Sequence, residues 1–308
     1  MRPVLRRGDL VDVVAPGFRS TAESVTNAVA WLQGLGLEAR VPADLFGADL
    51  LCANSDAVRF RHLKRALSAR DSRAIWCVRA GYGAIRLIER LRALPRPPQR
   101  KLFIGYSDAT TIHYFLNLHW RWPSLHGPLL DRLGAGLLAT DDLAELREVL
   151  FADRGEVMFT ALRPLNAAAR RRQRIAGHVF GGNLTVLQTI LGTPLQRAHQ
   201  GILFLEDTGE RGYRVDRMLQ HLAQAGGLDG LAAIVLGSFV GGDEADGSNL
   251  IAPVLKRFAA TQRFPVLAGM PAGHGAEQRP VFFATRAELC CGASPKLSIA
   301  VPQFGPDR

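Results

Sequence analysis

The sequence predicts an α/β protein with a parallel sheet in its first half and a mixed α and β second half. Three observations lead there. Short apolar runs alternate with amphipathic ones from residue 10 to residue 120, glycine-rich turns close several of the apolar runs, and 308 residues are enough to bury a sizeable core.

In chain order, LVDVVAP at 10–16 reads as a strand ending in a Pro-Gly turn, and SVTNAVAWLQGLG at 24–36 has helical spacing. DAVRFRHLKRALS at 56–68 is amphipathic, and SRAIWCVRAGYG at 72–83 reads as a strand followed by a glycine-rich turn. IRLIERLRAL at 85–94 predicts a helix, KLFIGYS at 101–107 a strand and ATTIHYFLNLHW at 109–120 a further helix. Helical crossovers between such strands make the strands parallel. Ligands of open sheets of this kind meet the carboxyl ends of the strands, so the turns at 15–18, 79–84 and 105–108 are the first candidate site.

After a helical region at 141–152, residues 153–175 read as the crossing into another domain. A glycine turn, FGGN at 180–183, then precedes a helix (LTVLQTILG), a strand at 201–206, a helix (RVDRMLQHLAQAG) and a strand at 231–239. The helix NLIAPVLKRFAA leads into the turn MPAGHG at 270–275, and β-like runs VFFAT and KLSIAV follow.

Composition narrows the function. The net charge of +10 is carried by arginines spread along the chain, with lysine only at Lys64, Lys101, Lys256 and Lys296. The one dense block, Arg170, Arg171, Arg172 and Arg174, lacks aromatic interleaving or a recognition-helix pattern. It reads as a solvated interdomain segment able to steer an anion, and no nucleic-acid partner is expected. No stretch approaches 18 uncharged apolar residues, so no membrane partner is expected. Asp9 and Asp12 interrupt any apolar signal core, which implies a cytoplasmic protein. Cys52, Cys77, Cys290 and Cys291 form no CxxC pair, which fits a reducing compartment without a structural metal, and Cys77 in AIWCV reads as a buried hydrophobe. GxGxxG and GK[ST] loops are both missing, so no nucleotide cofactor is expected.

Ser107 is the first candidate for chemistry, because it stands after a strand and before a helix in GYSDAT at 105–110. A hydroxyl at such a bend projects from the sheet edge, and N–H groups at the helix start point toward developing negative charge. The plainer alternative is that Ser107 or Asp108 caps the helix. Gly81 and Gly83 in RAGYG allow close approach of the backbone to a ligand and offer a second N–H. A serine needs a base, and His274 in PAGHG has little packing reason to be there. His113, His119 and His221 fall in helical patterns, His126 could line a pocket, and His62, His178 and His199 carry no spacing signal. Glu206 and Asp207 both suit the carboxylate that fixes a base's tautomer. For Glu206 the plainer alternative is a helix cap or an ion pair with Arg214 or Arg217.

KLFIGYSDAT, RAGYGAIRL, FGGNLTVLQTILGTP, GILFLEDTGERGYRVDRMLQHL and IVLGSF followed by GH together resemble the LD-carboxypeptidases, with their microcin-immunity relatives. The resemblance covers nearly the whole chain in order. It implies a three-layer, Rossmann-like α/β N-terminal domain (1–155), a linker (156–175) and a smaller β-rich mixed C-terminal domain (176–308). It also implies a serine carboxypeptidase with a Ser107, Glu206 and His274 triad and an oxyanion hole from the N–H groups of Asp108 and Gly81. No cofactor or metal is implied. The implied partners are a small peptide or muropeptide substrate and a second copy in a homodimer. The implied reaction releases D-alanine from the L-Ala-γ-D-Glu-meso-diaminopimelate-D-Ala tetrapeptide in peptidoglycan recycling. The microcin-immunity relatives offer the alternative of an aminoacyl or peptidyl nucleotide, and a silent ligand-binding module is a further one. A stacking aromatic such as Trp76, Trp120 or Trp122 would favour the nucleotide. Ala80 replaces a family glycine at a position the turn is expected to tolerate, and APGF replaces APSG; PVFFAT follows His274 where the family has an LPLG-like segment, and there the pocket walls are expected to differ. Arg79 or the arginine block could bind the substrate's carboxylate.

Overall fold

The computed structural model describes residues 3–152, 154–196 and 200–304. The chain divides into two units: residues 1–155 with 280–282 and the last segment from Val301, and residues 156–279 with 283–300.

In the first unit, β1 (Leu10–Val14), β2 (Glu38–Arg40), β3 (Ser72–Cys77), β4 (Leu102–Gly105) and β5 (Ser124–His126) alternate with helices. These helices are α1 (Ala22–Gly34), α2 (Asp56–Ser68), α3 (Ile88–Arg92) and α4 (Thr110–Phe115), followed by α5 (Leu130–Gly134) and α6 (Thr140–Phe151). The sheet order is a late strand at Val281–Phe283, then β5, β4, β3, β1 and β2. The β1–β2, β1–β3, β3–β4 and β4–β5 pairs are all parallel, as the alternation predicts. Strands buried on both faces read as continuous apolar runs, and Ala74, Ile75, Trp76 and Cys77 of β3 are wholly buried. Polar caps set the helix starts: Thr21 Oγ1 accepts from Ser24 N–H at 3.0 Å, and Ser55 Oγ accepts from Val58 N–H at 3.4 Å.

The second unit contains β6 (Glu156–Phe159), β7 (Arg163–Pro164), β8 (Gln173–Asn183), β9 (Ile202–Thr208), β10 (Ala233–Val240) and β11 (Val266–Ala268). Next come β12, the Val281–Phe283 strand already placed in the first sheet, β13 (Arg286–Cys291) and β14 (Lys296–Ala300). Its helices are α7 (Ala167–Arg170), α8 (Leu184–Gln188), α9 (Gly212–Gln224) and α10 (Ile251–Ala260). One sheet runs β6, β14, β13, β8, β9, β10, β11, β7. Its β6-to-β8 half is antiparallel, and its β8-to-β11 half is parallel. The architecture is therefore α/β followed by a smaller β-rich mixed unit.

Several expectations change. The FGGN stretch is the end of the long strand β8, where it pairs with β9, and is not a free turn. Residues 156–175 are not a bare linker, since they form β6, β7, α7 and the start of β8. The arginine block accordingly runs from the last residue of α7 across the short connection into β8, where Arg174 pairs with Glu288 at 2.7 Å. The helix expected at 109–120 begins as a tight turn at Ser107–Ala109, continues as α4 and ends in a wider turn at Leu116–Trp120. Val281, Phe282 and Phe283 are fully buried, so the PVFFAT segment builds core where a pocket wall was expected.

Among the described residues, no helix is long and apolar enough to cross a membrane. No group of three or more His, Cys, Asp or Glu among them could hold a metal. The four cysteines are free, and burial raises the Cys77 thiol far above its ordinary value, so it stays protonated.

Candidate active site

The strand β4 is wholly buried, and the chain leaves it through extended Tyr106 into Ser107 at φ +62°. A left-handed backbone costs a non-glycine residue about 1–2 kcal/mol, and such strain persists only where surroundings enforce it. Behind the bend, His113 supplies part of that enforcement. It is fully buried, its Nε2 lies 2.8 Å from the Gly105 carbonyl and its Nδ1 lies 2.7 Å from Ser124 Oγ. Burial pushes the imidazole down to about 4, so at neutral pH it is uncharged, donating from Nε2 and accepting at Nδ1. His113 is thus committed to packing, as its helical position suggested. His126, 2 % exposed in β5, likewise packs against Tyr106.

Neither Ser107 nor Asp108 caps the following helix, so the plainer reading of GYSD fails. Asp108 instead turns its carboxylate to the glycine turn, where Oδ2 accepts from Ala84 N–H at 2.9 Å. Burial pushes this carboxyl up to about 6, against the opposing effects of the Ala84 and Gly83 amides and the Arg59 charge. Gly81 has φ +98°, and a Cβ there would stand 2.3 Å from the Phe18 ring, so the turn accepts only glycine at this position. Among the described residues, neither the Gly81 nor the Asp108 N–H has an acceptor, and Ser107 Oγ has no hydrogen-bond partner. Arg79 lies 3.4 Å from the Asp131 carboxylate and is half exposed.

In the second unit, Glu206 and Asp207 are adjacent on β9, so their side chains leave opposite faces of the sheet. Both are buried, at 0 % and 3 % exposed. Asp207 accepts from Asn183 Nδ2 (3.1 Å), Thr185 N–H and Oγ1 (both 2.9 Å) and Thr208 N–H (2.8 Å), which ties β9 to the start of α8. Burial raises its carboxyl above the ordinary range. Glu206 faces the other way. Its Oε2 lies 2.6 Å from His274 Nδ1 and accepts from the His274 backbone N–H at 3.2 Å.

The arrangement therefore separates two carboxylates that sequence alone left equivalent. The ion pair expected as an alternative for Glu206 is not made: Arg214 pairs with Glu210 at 3.2 Å, and Arg217 lies over the Tyr213 ring. A carboxylate on Nδ1 holds the ring proton there and leaves Nε2 as the basic nitrogen.

Ser238, in the IVLGSF strand, was not singled out from the sequence. Its Oγ donates to the Ala272 carbonyl and accepts from Gly275 N–H, both at 3.0 Å, spanning the His274 turn. Between them Gly273 has φ +119°, and a Cβ would stand 2.7 Å from Glu206 Oε2. A polar residue inside an otherwise apolar strand was the one faint signal. Trp76, Trp120 and Trp122 are all buried, so none offers a face for stacking. Among the weaker candidates, His62 is buried on Asp44 at 2.8 Å, and His199 lies outside the described residues.

Comparison with known proteins bears on both units. Residues 11–127 match the LD-carboxypeptidase N-terminal domain, and residues 176–289 match the LD-carboxypeptidase C-terminal domain. A Rickettsia prowazekii (strain Madrid E) protein, RP402, carrying a provisional carboxypeptidase name, is 38% identical over 261 residues, covering 82% of this chain and 80% of its own. The chain belongs to the LD-carboxypeptidase family. It is accordingly a serine-type hydrolase of small peptide or peptidyl substrates. The crystal structure of a muramoyltetrapeptide carboxypeptidase from Oxalobacter formigenes superposes with TM-score 0.81 at 27% identity, over 94% of this LD-carboxypeptidase family member and 98% of that chain. The microcin C7 self-immunity protein MccF, in complex with aspartyl sulfamoyl adenosine, superposes with TM-score 0.80 over 98% of both chains. At 19% identity that is a likeness of fold alone.

Proposed function

We propose that this chain releases terminal D-alanine from the murein tetrapeptide, with Ser107 as nucleophile, His274 as general base and Glu206 as the group that orients the base. The observation that carries the reading is the 2.6 Å contact between His274 Nδ1 and a wholly buried Glu206 carboxylate, which leaves Nε2 to take a proton. Ser107 complements it as a half-buried hydroxyl on a left-handed strand-to-helix bend. The resemblance to the Oxalobacter formigenes muramoyltetrapeptide carboxypeptidase supports the substrate.

In this reading His274 Nε2 takes the Ser107 proton as Oγ attacks the carbonyl between the L-configured centre and D-alanine. The Asp108 and Gly81 N–H groups receive the charge that develops on the carbonyl oxygen. His274 then returns the proton to the leaving amine of D-alanine and activates the water that releases the acyl-enzyme. Glu206 stabilises the imidazolium in both halves. A homodimer and a cytoplasmic location belong to the same proposal.

The test offers the purified protein the murein tetrapeptide and, separately, aminoacyl sulfamoyl nucleotides, and follows products by mass spectrometry. D-alanine release with little nucleotide cleavage is the expected result. Cleavage of the nucleotides alone would move the assignment to the microcin-immunity chemistry.

A further inference from the structure

Arg59 stands on α2 at a place where a hydrophobic side chain would be expected. Arg59, His62, Leu63, Ala66 and Leu67 are the buried residues of that helix, the one-face spacing of an amphipathic helix. The Arg59 side chain is 0 % exposed. Taking a guanidinium out of water costs several kcal/mol unless its N–H groups are satisfied, and an apolar residue of similar volume often serves stability as well or better. Its hydrogen-bond acceptors therefore show what the charge is there to do.

Three of them are backbone carbonyls on three separate loops. Nε donates to the Asn54 carbonyl at 2.9 Å, and Nη1 donates to the Gly83 carbonyl at 3.0 Å and to the Pro16 carbonyl. Nη2 donates to Asp56 Oδ1 at 2.5 Å. The Asp56 carboxylate is also gripped by Arg86 Nε at 2.9 and 3.0 Å, from the turn that follows Gly83. Pro16 follows β1, Asn54 precedes α2 and Gly83 follows β3, so a single rigid fork ties together the carboxyl-edge loops of this sheet.

The peptide that Arg59 holds by its carbonyl is held by its amide as well, because Ala84 N–H donates to Asp108 Oδ2 at 2.9 Å. Asp108 is the residue after Ser107. A continuous path thus runs from Arg59, through the Gly83–Ala84 peptide, to the carboxylate of the residue that follows Ser107.

We propose that Arg59 is a positioning residue for the reaction. By fixing the Gly83–Ala84 peptide against Asp108, it sets the separation between the Gly81 and Asp108 N–H groups that receive the oxyanion. The proposal rests on the reading of Ser107 as nucleophile, and Arg59 itself touches no reacting atom. Arg59→Lys keeps the charge and much of the volume but loses the fork.

The experiment measures the second-order rate at which a fluorophosphonate probe labels Ser107, a reaction that builds negative charge on the phosphoryl oxygen and does not depend on which substrate is native. Kinetics on the tetrapeptide and thermal melts accompany it. Arg59→Lys should remain folded, label on the order of 30-fold more slowly and lose kcat in parallel, with KM within about twofold. A merely structural role would lower the folded fraction and leave the rate per folded molecule alone. Labelling within about threefold of the parent protein overturns the proposal. Should Arg59→Lys fail to fold, Asp56→Asn takes its place, because it removes the carboxylate partner while leaving the guanidinium. A labelling rate about fivefold to tenfold lower supports the proposal, and an unchanged rate rejects it. Ser107→Ala separates the two levels. A variant that still labels sinks the nucleophile and this inference together, whereas a silent one beside a fast Arg59→Lys sinks the inference alone.

Discussion

Glu206→Gln removes one negative charge from a wholly buried site and changes little else in shape. The lost interaction is the one between the carboxylate and the imidazolium that forms as His274 accepts the serine proton. With Oε2 2.6 Å from Nδ1, the charge centres lie about 4 Å apart, worth about 4 kcal/mol at an effective dielectric constant of about 20. That interaction is complete only when the ring is charged, so its loss falls on the transition state and lowers kcat by about a thousandfold. The amide also offers a donor on one side, which permits the ring to place its proton on the wrong nitrogen. The assay is D-alanine release under saturating tetrapeptide, with KM measured in the same series. KM should stay within about threefold, because no ground-state substrate contact is altered. A fall in kcat of less than tenfold would refute the assignment of Glu206 as the orienting carboxylate. Asp207→Asn in the same assay gives the contrast, since Asp207 faces Asn183 and Thr185 on the opposite side of β9.

Two further outcomes follow from the first unit. The Asp108 carboxyl, pushed up to about 6 from an ordinary 3.8, is better tolerated neutral, so its contribution to stability is complete below about pH 3.8 and is lost as pH rises through about 6. Asp108→Asn removes that titration, and the unfolding free energy of the parent relative to the variant should fall by about 2 kcal/mol between pH 4 and pH 7 in urea titrations; a constant difference would reject the raised carboxyl. Ser107→Gly relieves the left-handed backbone at φ +62° and should raise stability by about 1 kcal/mol while abolishing hydrolysis. A destabilised glycine variant would show that the bend is not strained.

Much of the first unit was legible because β1, β3 and β4 are almost wholly buried and therefore read as largely apolar runs, whereas the short edge strand β2, Glu38–Arg40, is partly exposed and gave no such signal. KLFIGYS at 101–107 announces a strand, a bend and a hydroxyl within seven residues. Strand β8 was not legible, because its first half, QRIAGH, has no polar–apolar alternation in sequence and its second half carries two adjacent glycines. Strand β12 returns to the first sheet from far along the chain, a long-range pairing that no local period encodes. Glu206 and Asp207 were equivalent in sequence, and only the partners on either face of β9 tell them apart. His274 was legible as a histidine in a glycine turn without a packing role, yet the Ser238 hydroxyl that spans that turn gave almost no signal. Arg59 did leave one, as a charge in phase with the apolar stripe of α2, and its meaning required the three carbonyls around it.

The most direct measurement is D-alanine release from the murein tetrapeptide by the intact protein and by Ser107→Ala, followed by mass spectrometry. Release that disappears in the variant is the predicted result and ties both the reaction and the nucleophile to this chain. Equal release from both proteins would contradict it, because the hydrolysis would then proceed without the Ser107 hydroxyl.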